Sequence, residues 1–281
     1  LRYAQEASLI FHPLKIRHIS MSASSYVKTA SLRAFTLIEL LAVISTTGIL
    51  AVLVVGVSQK AIFSANKARE VNAARQLVTA FHAYAQENDG VYLSGMDYRA
   101  GTANYPVYNT DGKPVKGHGA HRYPYRLGPY LGGEFDGTIF VNRNKQEILE
   151  SAAGSSVMYD YQVSTFPALG MNIYCVGGVV RADGSVLNSA DCITRTAGMR
   201  GSILAFASGG SGSGKFRRQG FSYVSPPTKE SESPICLKWQ DPGAWTKQKD
   251  PMNFGWVDFR YDGKAVAAFL DGSVRMCSVE E

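Results

Sequence analysis

Residues 33–57 read RAFTLIELLAVISTTGILAVLVVGV. From Phe35 to Val57 the run is long enough to cross a bilayer, about 34 Å as a helix at 1.5 Å per residue. One acid, Glu39, interrupts it near its start. A carboxylate at the centre of a membrane helix costs roughly 2.5–3.5 kcal/mol on insertion scales, and less nearer the end. That cost predicts a partner for Glu39. A positive charge arises if residues 1–34 are cut away, because Phe35 then carries a new α-amino group. Ser45, Thr46 and Thr47 also break the apolar run, but their hydroxyls are able to bond back to helix carbonyls. Gly48 and Gly56 permit close helix approach or local bending.

Phe35-Thr36-Leu37-Ile38-Glu39-Leu40-Leu41, with the basic Arg33 before it, resembles the prepilin N-terminus of type IV pilins and type II secretion pseudopilins. That family has Gly before the cut; here Ala34, the next smallest side chain, takes its place. The resemblance implies cleavage between Ala34 and Phe35 and N-methylation of Phe35 by a prepilin peptidase/N-methyltransferase. It implies a filament core built from helix 35–57, in which Glu39 pairs with the Phe35 amine of an adjacent subunit. The expected partners are that peptidase, other pilin or pseudopilin subunits and the bacterial inner membrane. The leader is expected in the cytoplasm, and the C-terminal domain in the periplasm or outside the cell. The function implied is that of a structural subunit of a pseudopilus or type IV pilus-like filament. The alternatives are an adhesive or DNA-uptake minor pilin, and a membrane-anchored ligand-binding protein exported by the prepilin route.

Four regions follow from the pattern: a leader over 1–34, a membrane or filament-core helix over 35–57, its amphipathic continuation over 58–88, and a globular β domain over 89–281. Met21 lies downstream of the first residue, and starting there leaves a short basic leader, so residues 1–20 read as an upstream extension of the reading frame. No apolar core precedes Phe35, unlike a secretory signal peptide.

The chain has 281 residues, 45% hydrophobic and 19% charged, which are globular values. Its net charge of +6 invites a nucleic-acid reading. Arg2, Lys15, Arg17, Lys28 and Arg33 against Glu6 place +4 of this in the leader and leave +2 beyond it. So small a charge predicts no nucleic-acid partner. Cys175, Cys192, Cys236 and Cys277 form no CxxC pair, which argues against zinc. Cys175 and Cys192 are close enough in sequence to bridge a loop, and buried thiols are an equal alternative.

No proline occurs between Pro13 and Pro106. Val71, Ala74, Val78, Phe81 and Ala85 recur at three and four, and Asn88-Asp89-Gly90 is a helix stop. One helix is therefore expected over 35–88, with Leu77, Phe81 and Tyr84 as its seam against a sheet. A loop-rich stretch over 91–150 contains a short helix near 145–152. Strands are expected at 156–162, 172–176, 179–182 and 202–207. Asp262-Gly263 and Asp271-Gly272 separate 256–261, 264–270 and 273–278 into a three-stranded meander. The fold class is α+β: a long N-terminal helix, pilin-like by resemblance, on a C-terminal antiparallel sheet.

The ending resembles a group of prepilin-like proteins that close on a His, nine residues, then Asp-Gly. Gly263-Lys264-Ala265 and Asp271-Gly272 fit, as do Arg75-Gln76-Leu77, Tyr84-Ala85, Asn88-Asp89-Gly90 and Gly170-Met171-Asn172. Tyr261 stands where the group has His, so no role of that histidine is carried over.

Other signals are weaker. Gly209 and Gly214-Lys215 have phosphate-loop spacing, but Phe216 stands where Ser or Thr would hold magnesium, and a flexible hairpin tip is expected. Lys215, Arg217 and Arg218 read as a solvated basic loop. His118 and His121 read as loop histidines without further ligands. Asp241, Asp250 and Asp258 match no calcium spacing. No nucleophile–base–acid constellation is legible, so no enzyme, no cofactor and no metal are expected.

Overall fold

The computed structural model describes residues 35–187, 192–198, 203–212, 214–225 and 251–278. Helix α1 runs without a break from Leu37 to Glu87, 51 residues. Among the described residues it is the one helix long and apolar enough to cross a membrane. It ends where the Asn88-Asp89-Gly90 stop is read. Asp89 and Gly90 take positive φ, and the Gly90 amide donates to the Ala85 carbonyl at 2.8 Å. Asn88 Nδ2 donates to the Tyr84 carbonyl at 2.8 Å. Together these bonds occupy carbonyls that a helix end otherwise leaves open.

The chain divides into two compact units, one ending at Val54 and one from Val55 to Glu281. In the first, Leu37, Ile38, Leu40, Leu41, Val52 and Leu53 are all exposed. In the second, α1 turns one face inward: Ala73, Ala74, Leu77, Val78, Phe81 and Ala85 are buried. Phe81 stacks on Tyr92 at 5.0 Å and meets Phe206 edge-on at 5.5 Å.

After α1 come β1 (Met96–Asp97), the hairpin β2 (Val107–Tyr108) and β3 (Pro114–Val115), then α2 (His118–His121) and α3 (Tyr123–Leu127). Helix α4 (Asn144–Ala152) forms where a helix near 145–152 is expected. Helix α5 (Ser156–Thr165) replaces the strand expected at 156–162. Ala153 and Gly154 at positive φ end α4, and the Ser155 side chain accepts from the Met158 amide to start α5. That N-cap outweighs the β-prone Val157, Tyr159 and Tyr161.

The later strands are β4 (Leu169–Asn172), β5 (Val179–Val180), β6 (Val186–Leu187), β7 (Leu204–Ser208), β8 (Gly210–Ser211), β9 (Arg218–Gln219), β10 (Tyr223–Val224), β11 (Lys264–Phe269) and β12 (Val274–Ser278). The main sheet has the order β10-β4-β7-β11-β12. It is antiparallel from β4 to β12, with Gly170 opposite Ala207, Ala268 opposite Phe206 and Ala265 opposite Cys277. The expected all-antiparallel sheet is corrected at one edge, where β10 runs parallel to β4. The chain reverses once after β7, through the hairpin β8–β9, and then lies beside β4, which itself runs opposite to β7.

Both Asp-Gly turns are present. Tyr261 and Lys264 exchange backbone bonds of 3.0 and 2.9 Å around Asp262 and Gly263, both at positive φ. Asp271-Gly272 joins β11 to β12. The expected strand at 256–261 is not formed. Strand β11 already has β12 and β7 on its two edges, so 257–261 is left as a crossing segment. Val257 forms an isolated bridge with Gly209, and the Asp258 amide donates to the Ser208 carbonyl beyond the end of the β7 ladder.

Candidate functional site

The start of α1 is a capping box. The Thr36 amide and hydroxyl both donate to Glu39 Oε2 at 2.9 Å, and the Glu39 amide donates back to Thr36 Oγ1 at 3.3 Å. Thr-x-x-Glu satisfies two open amides at once and puts negative charge at the positive end of the helix dipole. The carboxylate thus has a local partner, which the reading of Glu39 as an isolated acid misses; the signal was the Thr36–Glu39 spacing itself. Both bonds use one oxygen, so Oε1 keeps its accepting capacity. Phe35, 80% exposed, stands directly before this turn. Ala34 lies outside the described residues.

The hydroxyls further along bond back as expected: Ser45 to the Leu41 carbonyl at 2.8 Å, Thr46 to that of Ala42 at 2.9 Å, and Thr47 to that of Val43 at 2.8 Å. From Thr36 to Val57, every polar side chain is therefore bonded within the helix.

A second polar centre lies in the unit from Val55 onward. Glu70, fully buried on α1, accepts from Tyr261 Oη at 2.6 Å, from Ser208 Oγ at 2.5 Å and from Arg260 Nη2 at 3.1 Å. Ser208 Oγ also accepts the Val266 amide at 2.9 Å. Arg260 spans further, donating to the Ala168 and Gly209 carbonyls and to Asp258, and Asp258 also pairs with Arg217. Asn142 Nδ2 donates to Tyr261 Oη at 3.1 Å. Burial acts to lower the Arg260 pKa, but the Glu70 and Asp258 carboxylates outweigh it and raise it. Burial, then Glu70, push the Tyr261 phenol well above its ordinary value, so it stays a neutral donor. Tyr261, at the position of the resembled group's His, therefore joins α1 to the sheet. Nothing in the local sequence around Glu70 marks it as buried.

The remaining signals resolve differently. Gly210 and Ser211 pair with Arg218 and Gln219, so the glycine-rich stretch is a hairpin, as expected. Its basic residues do not form one solvated patch: Arg217 holds Asp258, and the Arg218 guanidinium lies 4.1 Å over the Phe166 ring. His118 and His121 meet edge-on at 5.3 Å, and no group of three or more His, Cys, Asp or Glu among the described residues is placed to hold a metal. Asp241, Asp250 and Cys236 lie outside the described residues. Cys175 and Cys192 are both buried, and the Ile193 amide donates to the Cys175 carbonyl at 2.9 Å. No protein-family model, curated protein or solved structure matches the chain.

Proposed function

We propose that the chain is a structural, non-enzymatic subunit of a pilus- or pseudopilus-like filament, held in the inner membrane until it assembles. The observation that carries this reading is α1. Its first part exposes a largely apolar surface whose hydroxyls bond back to the helix and whose one acid is held by Thr36, and the same helix continues into a packed domain. Such a surface suits lipid and equally suits neighbouring copies of itself. The Phe35–Leu41 heptapeptide adds the resemblance to prepilins.

The mechanism proposed is cleavage between Ala34 and Phe35, methylation of the new amine, and sideways packing of the helices. Glu39 then accepts from the Phe35 amine of a neighbour. The capping box favours this, because Thr36 holds Oε2 and leaves Oε1 to accept. In a low-dielectric core, removing one partner of such a pair strands a charge at about 3–5 kcal/mol, so the pair sets register. The test is mass spectrometry of the mature N-terminus after co-expression with a prepilin peptidase. Phe35 as a methylated first residue is the expected result; an intact leader on membrane-extracted protein overturns the reading.

A further inference from the structure

Three tyrosines on the second unit are conspicuously exposed for their size and lie near one another: Tyr98 at 41%, Tyr105 at 48% and Tyr161 at 38%. The fold brings them together. Gly101, at φ 83, lets the chain double back so that its amide donates to the Tyr105 carbonyl at 2.8 Å, which sets Tyr105 over the Arg99 guanidinium at 4.6 Å. Met96, beside Tyr98, bridges Arg122 at the start of α3. Tyr98 lies against His121 at 5.1 Å, and His121 against His118 at 5.3 Å. Gly119 lets α2 sit close on α5; a Cβ there would be 3.0 Å from Val115 Cγ1 and 3.6 Å from the Asp160 carbonyl oxygen. Arg122 then lies 5.2 Å over the ring of Tyr161.

The charges in this surface do not balance. Arg99 is paired with Asp97 through two bonds, of 3.0 and 2.8 Å. Arg122 and Arg126 have no carboxylate within ion-pair distance among the described residues. Arg126 donates instead to Ser94 and to the His121 carbonyl, and Arg122 to the His118 carbonyl and Ser164 Oγ. Burial lowers the pKa of both guanidiniums, and the His121 pKa falls through burial and then through His118, Arg122 and Arg126. Asp97 acts on Arg126 from beyond ion-pair distance, whereas no carboxylate acts on Arg122, and a partly desolvated cation of that kind attracts an anion more strongly than a solvated one does.

We infer that the surface built from Tyr98, Tyr105, Tyr161, His118 and Arg122 binds a carboxylated saccharide. The Tyr105 and Tyr161 rings, each covered on one face by a guanidinium, and the Tyr98 ring, tilted against His121, offer their open faces to the C–H side of a sugar ring, and the phenol and imidazole groups suit its hydroxyls. Arg122 takes the carboxylate, since a guanidinium matches its planar geometry. Single-stranded nucleic acid is the disfavoured ligand. It needs a cationic track under successive phosphates, whereas here the cations form one cluster on a chain whose charge beyond the leader is only +2. The inference concerns the unit from Val55 onward and holds whether or not the filament reading does.

The test is calorimetric titration of detergent-solubilised full chain with hexagalacturonate, its methyl ester and oligothymidylate of similar length. Binding of the free acid is expected, with at least tenfold weaker binding of the ester. Arg122→Gln should lower hexagalacturonate affinity at least tenfold, and Tyr98→Ala, at an exposed ring whose loss leaves the core intact, severalfold. Circular dichroism checks that each variant is folded. Equal affinity for acid and ester, no binding of either, or no effect of Tyr98→Ala overturns the inference. Tighter binding of oligothymidylate replaces the saccharide with nucleic acid.

Discussion

Tyr261 donates its phenolic hydrogen to Glu70 at 2.6 Å, joining two residues 191 positions apart. The bond ties the inner half of the long helix to the turn that opens β11. It also places the Tyr261 hydroxyl in direct contact with a fully buried carboxylate. Such a carboxylate is tolerable only while its donors are present.

Tyr261→Phe should therefore destabilise a fragment spanning 58–281 by about 1–3 kcal/mol, the cost of removing a donor from a buried acceptor. Tyr261→His keeps a donor at the position and should lose less than Phe does. Urea unfolding of the three proteins decides it. A Phe variant as stable as the parent would show that the contact contributes nothing.

Glu70→Ala removes the acceptor shared by Tyr261, Ser208 and Arg260, and should cost about 3–5 kcal/mol because Arg260 keeps a buried charge with one partner fewer. Combining it with Arg260→Met should restore part of the loss. Additive losses in the double variant would mean that the two residues do not interact.

Residues 89–281 without the helix should be much less stable than 58–281. Leu77 and Phe81 are fully buried on the helix, and each large side chain lost from a packed seam costs about 2–5 kcal/mol. Comparable thermal midpoints for the two fragments would contradict the packing described above.

Glu39→Ala should spare cleavage and shorten the cross-linking ladder of mature subunits at equal membrane levels. Thr36→Val removes only the hydroxyl part of the capping box, at about 1 kcal/mol, and should leave the ladder long. If both variants assemble like the parent, Glu39 serves the helix start and not docking between subunits.

Acid stability has a defined sign at Asp97. Burial acts to raise its pKa, but the Arg99 hydrogen bonds and the nearby Arg126 outweigh it, so the folded value lies below the ordinary one. Its contribution is present above the unfolded pKa of about 3.9 and is lost as pH falls through the lower folded value. Asp97→Asn should lower stability at pH 7 and flatten the acid limb below about pH 4. An unchanged acid limb, measured by urea unfolding across that range, would show that Asp97 does not carry it.

What the sequence alone determined is what depends on near neighbours. The length and continuity of α1, its stop at Asn88-Asp89-Gly90, the back-bonding of Ser45, Thr46 and Thr47, and the two Asp-Gly turns all rest on bonds spanning five residues or fewer. The Thr36–Glu39 box, three residues apart, obeys the same rule. Tertiary structure decided the rest, because there the outcome depends on which edges and cavities other segments have already filled. Residues 256–261 have strand composition, but β11 takes β7 from more than fifty positions upstream and β12 on its other side, so neither edge of β11 remains for them. Glu70 has the local look of a solvent-facing helix charge between Arg69 and Val71. Only Ser208, Arg260 and Tyr261, brought in by the sheet, make its burial affordable, and no local pattern encodes a partner 138 to 191 residues away.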